Sequence, residues 1–428
     1  MKQAFIVFEC VNHMAYVLRE ARSRGFDIVV LNHRPLKPTG PYAVPRSSVD
    51  ELIHIESWQD EPRVDGILAD LHRRYRVVGT YAGFEATLPY EAKLRELAGL
   101  PGNGVANVRS ILDKAWVRKK LHAEGLSKLR SVLLSEAEHW TTWQLEGPAV
   151  LKPVNGTGSA LCFFVSSVAE LREAIDKVKA AAVNDHLMKE YIVSRGDFVL
   201  EAQAQGELLS AESVMDRGTW HFMGLSSRYV LASDPVVEMG ISFPYKHPRL
   251  EEISALAKSI HESMNIFHGA THIEFMVPRQ GPVELIDLNV RFAGIDSLIG
   301  FNEAFGIRFE ACLADLGCGL HPDLSFLSHP SRYASQIMVL PPPGATELHD
   351  LVFPPEVVFQ RLTKDIGAKL TGRADQLDHV GVGTVTADTP AELHRKALDV
   401  RNRIVFNGSP LGDNVNNVVT CSEFVVGQ

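Results

Sequence analysis

The 428-residue chain lacks any apolar run long enough to cross a membrane, because a transmembrane helix needs about 20 consecutive apolar residues. Its first apolar run, AFIVF, is short and soon followed by Glu9, which favours a buried strand over a signal peptide. The five cysteines are odd in number and include no CxxC pair, which argues against a disulfide framework or a cysteine zinc site. We therefore expect a soluble, cytoplasmic protein with reduced thiols.

Positively charged residues are outnumbered by negatively charged ones, 43 to 52, and the formal net charge is −9. A nucleic-acid partner is therefore not expected, although a local basic cleft stays open. No GxGxxG follows the first strand and no glycine loop ends in Gly-Lys-Ser or Gly-Lys-Thr, which excludes a dinucleotide fingerprint and a P-loop. Hydrophobic content of 45% and charged content of 22% are typical of globular proteins, and this length predicts roughly two to four domains.

Four units are predicted along the chain, in a multidomain mixture of α/β and α+β structure. Residues 1–105 alternate strand and helix patterns, which predicts an N-terminal α/β domain with a parallel sheet. Residues 106–192 begin with a helix over about 108–124 and continue as a strand–loop–strand–helix unit. We expect an antiparallel sheet over 193–329, starting with the strand at Phe198, and a C-terminal α+β unit over 330–428.

The most informative segment is THIEFMVPRQGPVELIDLNVR, where two β-rich runs flank a turn at residues 278–282. A register symmetric about this turn pairs Glu274 with Asp287 and His272 with Asn289. Side chains alternate between the two faces of a strand, so these four share one face. Arg291 continues the same alternation and is expected on that face too. The predicted apolar face comprises Ile273, Phe275, Val277, Ile286 and Leu288.

Two opposed carboxylates need a cation between them, because like charges directly opposite each other destabilise a sheet. Carboxylate oxygens of Glu274 and Asp287, with the amide oxygen of Asn289, suit Mg²⁺. The alternative is an amphipathic hairpin whose polar face meets water, but the acids, the asparagine and Arg291 together favour a metal. We also expect that removing one negative charge raises the unfolding temperature of the metal-free protein.

Two lysines lie near features suited to anions. Lys152 stands in the apolar strand AVLKPV, where an ammonium must snorkel or meet an anion. The loop that follows, NGTGS, has backbone N–H groups suited to phosphates, although a plain turn is an equal alternative. Lys114 and Arg118 lie one helical turn apart and share a face, for which a solvated charged surface is the default interpretation.

In this order, the motifs resemble the ATP-grasp superfamily over roughly residues 75–320. A lysine on a helix after the LPGN turn (LDKAWVRKKL) is followed by a lysine before a glycine loop (LKPVNGTGSAL). An acidic hinge strand (MKEYI) and an acid-x-Asn-x-Arg run (IDLNVR) complete the set. Each motif is degenerate alone, but the ordered set is specific. One departure is Asp287, where many relatives have glutamate.

The resemblance implies an ATP-grasp fold, with residues 1–105 as its pre-ATP-grasp domain, and a role for each matching residue. ATP and Mg²⁺, or Mn²⁺ in its place, are the implied cofactors, with the metal on Glu274, Asp287 and Asn289 and with Arg291 on the transferred phosphoryl group. The implied nucleotide contacts are Lys114 and Lys152 on the phosphates, Asn155, Gly156, Thr157, Gly158 and Ser159 as a loop over them, Glu190, Tyr191 and Ile192 at the adenine, and Asp197 at the ribose.

The whole chain resembles most the carboxylate–amine ligases that join amino acids, including L-amino acid (dipeptide) ligases of peptide natural-product pathways. The EMGISFP segment then points to Glu238 as a substrate residue, while Ile241 replaces the histidine of some relatives. The implied reaction forms an amide through an acyl phosphate and releases ADP, with His272 as a candidate base or a structural residue. The alternatives are a biotin-carboxylase-type enzyme, although no AMKM-like sequence occurs, and a non-ligating ATP-binding regulatory or phosphotransferase module. The implied partners are small carboxylates and amines, and a homodimer stays open.

Overall fold

The computed structural model of this chain describes residues 1–156, 161–184, 197–294, 296–328, 330–371, 378–412 and 418–420. Within these ranges, no helix combines the length and apolar composition that a membrane crossing requires. The four cysteines in the described part of the chain are free thiols.

The N-terminal unit is built on a four-stranded parallel sheet, which confirms the predicted fold class. Its elements are β1 (Lys2–Phe8), α1 (Met14–Ser23), β2 (Asp27–Asn32), β3 (Glu51–His54), α2 (Glu61–Arg74), β4 (Tyr75–Ala82) and α3 (Leu88–Ala98). The strand order is β3-β2-β1-β4, and every pairing is parallel. Alternate residues of β1 enter two different cores, as expected for a strand covered on both faces.

A small antiparallel sheet follows two consecutive helices. The elements are α4 (Val105–Leu112), α5 (Lys114–Ala123), β5 (Ser131–Leu133), α6 (Leu134–Ala137), β6 (Ala149–Pro153), β7 (Phe163–Val165), α7 (Val168–Asn184) and β8 (Phe198–Ala202). The single helix predicted over 108–124 is wrong, because Asp113 has extended backbone and caps α5 by accepting a hydrogen bond from the Trp116 amide at 2.8 Å.

The strand β8 belongs to this small sheet, whose order is β5-β8-β6-β7. The prediction that the strand at Phe198 joins the sheet of the acidic hairpin is therefore wrong. Its residues pair antiparallel with β6, with Phe198 opposite Pro153 and Glu201 opposite Val150. This register brings Glu201 beside Lys152, so that a buried carboxylate and a buried ammonium compensate each other.

Within the described residues, the largest sheet has nine strands and carries the acidic hairpin. The strands of this sheet and the other elements in the rest of the chain are, in order, β9 (Glu207–Asp216), β10 (Thr219–Leu231), β11 (Asp234–Tyr245), α8 (Leu250–Ser263), β12 (Gly269–Val277), β13 (Glu284–Asn289), α9 (Ser297–Phe305), α10 (Phe309–Gly317), β14 (Tyr333–Val339), β15 (Leu351–Val352), β16 (Phe359–Leu362), β17 (Gly381–Ala387), α11 (Pro390–Arg403), β18 (Val405–Phe406), β19 (Ser409–Pro410) and β20 (Val418–Thr420).

The order in this sheet is β13-β12-β9-β10-β11-β14-β17-β16, with β20 paired to β10. The C-terminal strands β14, β16 and β17 therefore extend the sheet that carries the hairpin, while β15, β18 and β19 form a separate small sheet. One hydrophobic core joins Ile6 of the N-terminal sheet to Phe275 and Leu288 of the hairpin. The domain boundaries after residues 105, 192 and 329 stay a prediction.

Candidate active site

The acidic hairpin has the predicted register at its polar positions. His272 lies opposite Asn289 and Glu274 lies opposite Asp287. Beyond Glu274 a bulge shifts the register, so that Phe275 faces Leu285. The predicted place of Ile286 on the apolar face is therefore wrong: Leu285 is buried in the core, and the extra residue Ile286 is only half-buried.

Each of the opposed carboxylates already has a cationic partner from elsewhere in the chain. Asp287 Oδ1 lies 2.9 Å from Lys114 Nζ at the start of α5. Glu274 Oε1 lies 3.2 Å from His272 Nε2 and 3.4 Å from Arg228 Nη2 on β10. These cations compensate the repulsion between the two acids. The expectation that neutralising one acid raises the unfolding temperature of the metal-free protein therefore loses its physical basis.

A cavity of about 310 Å³ opens above this face of the sheet. It collects the charged side chains of the hairpin with others from β10, from β11 and from the turn that follows β4. The polar and charged residues in its wall include Glu85, Arg228, Glu238, His272, Glu274, Asp287, Asn289 and Arg291. Both carboxylates, together with Arg228, His272 and Arg291, therefore face one space of small-molecule size.

His272 is held as a cation between two acids. Its Nδ1 lies 2.9 Å from Oε1 of Glu212, a buried residue opposite it on β9. Burial lowers the pKa of His272, but Glu212 and then Glu274 outweigh it and raise the pKa to about 9. A protonated imidazole donates hydrogen bonds and cannot take a proton from an amine. Of the two roles left open for His272, this geometry favours the structural one.

Sequence reasoning missed Glu212 and Arg228. Arg228 is almost fully buried and donates to Ser210 Oγ at 2.9 Å, and its Nε lies 3.1 Å from Glu238 Oε2. The available signal was a charged residue inside each of two otherwise uncharged strand segments, SAESVM and SSRYVL. Burying such charges requires partners, and the partners here lie on neighbouring strands.

Arg291 reaches the N-terminal sheet. Its Nε donates to Oε1 of Glu85 at 2.9 Å, and its terminal nitrogen Nη2 also donates to this oxygen. Glu85 is buried in the turn between β4 and α3, at the carboxyl edge of the parallel sheet. Sequence reasoning missed it, although ligand-binding residues of parallel sheets concentrate at that edge. The pair joins the end of the hairpin to the N-terminal unit.

Lys152 does not snorkel to solvent. Its Nζ lies 2.8 Å from Glu201 Oε1 and donates to the Ile286 carbonyl oxygen at 3.1 Å. Arg118 donates to both oxygens of Glu201, from Nε at 2.8 Å and from Nη2 at 2.9 Å. The solvated surface expected for Arg118 is wrong, because its side chain is only 3% exposed. Burial raises the pKa of Glu201, but Lys152 and Arg118 outweigh this and hold it below its usual range.

The residues expected around ATP are described only in part. Lys114 Nζ also donates to the Gly156 carbonyl oxygen at 3.2 Å, so this lysine joins the glycine loop to Asp287. Asn155 precedes that glycine, and the Asp197 carbonyl oxygen accepts a hydrogen bond from the Val154 amide at 3.0 Å. The predicted residues outside the described part of the chain are Thr157, Gly158, Ser159, Glu190, Tyr191 and Ile192.

The predicted metal donors fit a hard cation that shares its coordination with phosphates. Glu274 and Asp287 are directly opposed, and Asn289 adds an amide next to Asp287. In the described residues no cluster of three or more His, Cys, Asp or Glu side chains is arranged for a metal. Two carboxylates and an amide match Mg²⁺, which keeps waters and substrate phosphates as further ligands.

Comparisons with known proteins agree on the fold. A model of the ATP-grasp domain matches residues 145–298, and one of the ATP-grasp N-terminal domain matches residues 18–102. The chain is similar to a D-alanine–D-alanine ligase of Corynebacterium diphtheriae (26% identity, covering 59% of this chain and 68% of that protein). It is also similar to dapdiamide A synthase of Enterobacter agglomerans (23% identity, 68% and 70%).

Among solved structures, an L-amino acid ligase from Bacillus licheniformis superposes with a TM-score of 0.79 at 19% identity, covering 95% of this chain and 98% of that one. The biotin carboxylase domain of a 2-oxoglutarate carboxylase from Hydrogenobacter thermophilus has a TM-score of 0.70 at 14% identity, covering 99% and 93%. At these identities the structures establish the fold alone.

Proposed function

Because the chain belongs to the ATP-grasp ligases, we propose that it is an ATP-dependent carboxylate–amine ligase that joins two amino acids, or close derivatives, in peptide natural-product biosynthesis. The observation that carries the proposal is the opposed pair Glu274 and Asp287, which faces the active-site cavity together with Arg291. ATP-grasp ligases generally use ATP and Mg²⁺, and the donor set of the hairpin fits that cation.

The proposed reaction has two steps. A carboxylate oxygen of the first substrate attacks the γ-phosphorus of ATP, the bond to the bridging oxygen breaks, and ADP leaves. The amine of the second substrate then attacks the acyl carbon, phosphate leaves, and the amine loses a proton. Phosphorylation is needed because a free carboxylate is a poor electrophile, so the enzyme's task is mainly positioning and charge neutralisation.

The side chains of the site have distinct proposed roles in this reaction. Glu274, Asp287 and Asn289 hold the cation, which neutralises phosphate oxygens when it is bound. Arg291 neutralises the transferred phosphoryl group, and its bond to Glu85 fixes its orientation. Glu238 lines the cavity and is proposed as a contact for a substrate amino group. Burial raises the pKa of its carboxyl, and the nearby Arg228 guanidinium opposes part of that rise.

The nucleotide contacts are proposed from the same resemblance. Lys114 supports this assignment, since its Nζ already lies between Asp287 and the start of the glycine loop. Lys152 is proposed to contact a phosphate while its ion pair with Glu201 orients its side chain. The further proposed contacts are Asn155, Gly156, Thr157, Gly158 and Ser159 with the phosphates, Glu190, Tyr191 and Ile192 with the adenine, and Asp197 with the ribose.

The decisive experiment measures which products ATP yields with a panel of L-amino acids, singly and in pairs. We expect ADP and phosphate that depend on a carboxylate substrate, a faster rate with a second amino acid, and a hydroxamate when hydroxylamine replaces it. Asp287→Asn should abolish these products, while Asp399→Asn on the exposed face of α11 should not. AMP and pyrophosphate as products would refute the mechanism. ADP formed only with bicarbonate would favour a carboxylase, and ATP binding without turnover would favour a regulatory module.

A further inference from the structure

Glu212 lies behind the proposed metal ligands, on the strand next to the acidic hairpin. Its side chain is buried, and β9 places it directly opposite His272, which in turn lies opposite Asn289 of β13. The next pair on the same face is Ser210 opposite Glu274. Directly opposed side chains lie about 4.5–5.5 Å apart at Cβ, so Glu212 and the hairpin residues that face the cavity are separated only by His272.

The Glu212 carboxylate is held in place by its own hydrogen bonds. Ser210 Oγ donates to Glu212 Oε1 at 2.8 Å, and Ser226 Oγ donates to the same oxygen at 3.2 Å. His272 Nδ1 lies 2.9 Å from Oε1 and 3.0 Å from Oε2 of Glu212. Both oxygens of this buried carboxylate therefore have a partner, and the contact with Nδ1 fixes the orientation of the imidazole ring.

The ring held in this way contacts one particular oxygen of Glu274. His272 Nε2 lies 3.2 Å from Glu274 Oε1, and Arg228 Nη2 lies 3.4 Å from the same oxygen. Both contacts restrain the rotation of the Glu274 carboxylate through Oε1, so that Oε2 can serve a cation. Carboxylates that bind a metal are commonly held by such hydrogen bonds, and loss of the holding group costs about 10–100-fold in metal affinity or activity.

We propose that Glu212 is a positioning residue of the metal site, which orients the Glu274 carboxylate through His272. The inference rests on the proposed function, in which Glu274, Asp287 and Asn289 hold Mg²⁺. Glu212 itself contacts neither the cation nor a substrate. His272 transmits the position of a buried acid to a metal ligand, which gives the structural role of this histidine a functional consequence.

Three substitutions test these contacts. Glu212→Leu removes the acceptor of His272 Nδ1, whereas Glu212→Gln keeps a carbonyl oxygen there. His272→Asn keeps an amide nitrogen in the place of Nδ1 but loses the group that contacts Glu274. With ADP present, we expect Glu212→Leu and His272→Asn each to weaken Mn²⁺ binding about tenfold or more. Glu212→Gln should retain most of the affinity, which is measured by electron paramagnetic resonance.

A double variant tests whether Glu212 acts through His272. If it does, Glu212→Leu combined with His272→Asn should bind Mn²⁺ no more weakly than His272→Asn alone, because the link is already broken. The double variant also leaves no buried histidine without its acceptor. The comparison with His272→Asn therefore stands where Glu212→Leu alone does not fold.

The matched control is His261→Asn. His261 is also buried and bonded through both ring nitrogens, to the Ala257 carbonyl oxygen at 2.7 Å and to Thr271 Oγ1 at 2.8 Å. It lies on α8 and is not among the described residues of the cavity wall. We expect this variant to bind Mn²⁺ like the wild type. Binding of ADP without a divalent cation, measured by calorimetry, should be unchanged in all these variants.

The outcomes separate this inference from the proposed function. Wild-type Mn²⁺ affinity in His272→Asn, or additive losses in the double variant, would overturn the inference and leave the ligase proposal intact. An equal loss in His261→Asn would also overturn it, because the effect would then reflect general destabilisation. No Mn²⁺ binding by the wild type with ADP would refute the proposed metal site, and the inference with it.

Discussion

Arg118 connects the small antiparallel sheet to the acidic hairpin, and its removal should destabilise the protein strongly. Its guanidinium donates to both oxygens of Glu201, to Ser127 Oγ at 2.8 Å and to the Leu285 carbonyl oxygen. The side chains of Arg118 and Glu201 are only 3% and 5% exposed. Among the described residues, Arg118→Leu therefore leaves the buried Glu201 carboxylate with Lys152 as its remaining cationic partner. It also removes one donor each from Ser127 Oγ and the Leu285 carbonyl oxygen.

We expect Arg118→Leu to reduce the free energy of unfolding by about 3–5 kcal/mol, the usual cost of removing one partner from a buried ion pair. Equilibrium urea denaturation followed by tryptophan fluorescence measures this loss. The matched control is Arg130→Leu, because Arg130 is exposed and donates to a single backbone acceptor, the Gln144 carbonyl oxygen, at 2.9 Å. That control should change stability by no more than about 0.5 kcal/mol.

A double-mutant cycle with Glu201→Leu separates the ion pair from simple loss of packing. The combined variant should be less destabilised than the sum of the two single variants, with a coupling of roughly 0.5–3 kcal/mol. Equal stabilities of Arg118→Leu and Arg130→Leu, or strict additivity in the cycle, would refute the interpretation of Arg118 as the centre of a buried network.

The charges around the hairpin lead to three further expectations. Asp287→Asn should abolish ADP formation in a coupled assay while the far-ultraviolet circular dichroism stays that of the wild type, because Lys114 and the sheet remain in place. Lys114→Ala should weaken ATP binding about tenfold or more by calorimetry, the cost of one charge-assisted contact. Because the pKa of Glu201 is lowered on folding, its stabilisation is present above the unfolded value of about 4.3 and is lost as the pH falls below it. Arg118→Leu should therefore flatten the loss of stability measured by urea denaturation between about pH 5 and 3.

The sequence predicts the hairpin register well because two simple constraints coincide there. A polar turn fixes the midpoint, and alternation assigns Glu274 and Asp287 to one face. The bulge after Glu274 escapes prediction because inserting one residue leaves the hydrophobic pattern almost unchanged. It nevertheless has a consequence, since it releases Ile286 from the core and makes its carbonyl oxygen available to Lys152.

The buried cations escape prediction for a different reason. In KAWVRKKL, Arg118 looks like one more charge on a solvated helix, and nothing local distinguishes it from its neighbours. Its burial is decided by Glu201, 83 residues further along the chain.

Glu201 is itself an acid within the apolar strand FVLEA, as Lys152 is a base within AVLKPV. A charge inside a strand that is otherwise apolar demands a partner of opposite charge, so charged residues of opposite sign on two apolar strands are evidence that those strands pair. Applied to Lys152 and Glu201, this rule assigns β8 to the small sheet, which the pattern of hydrophobic residues alone does not.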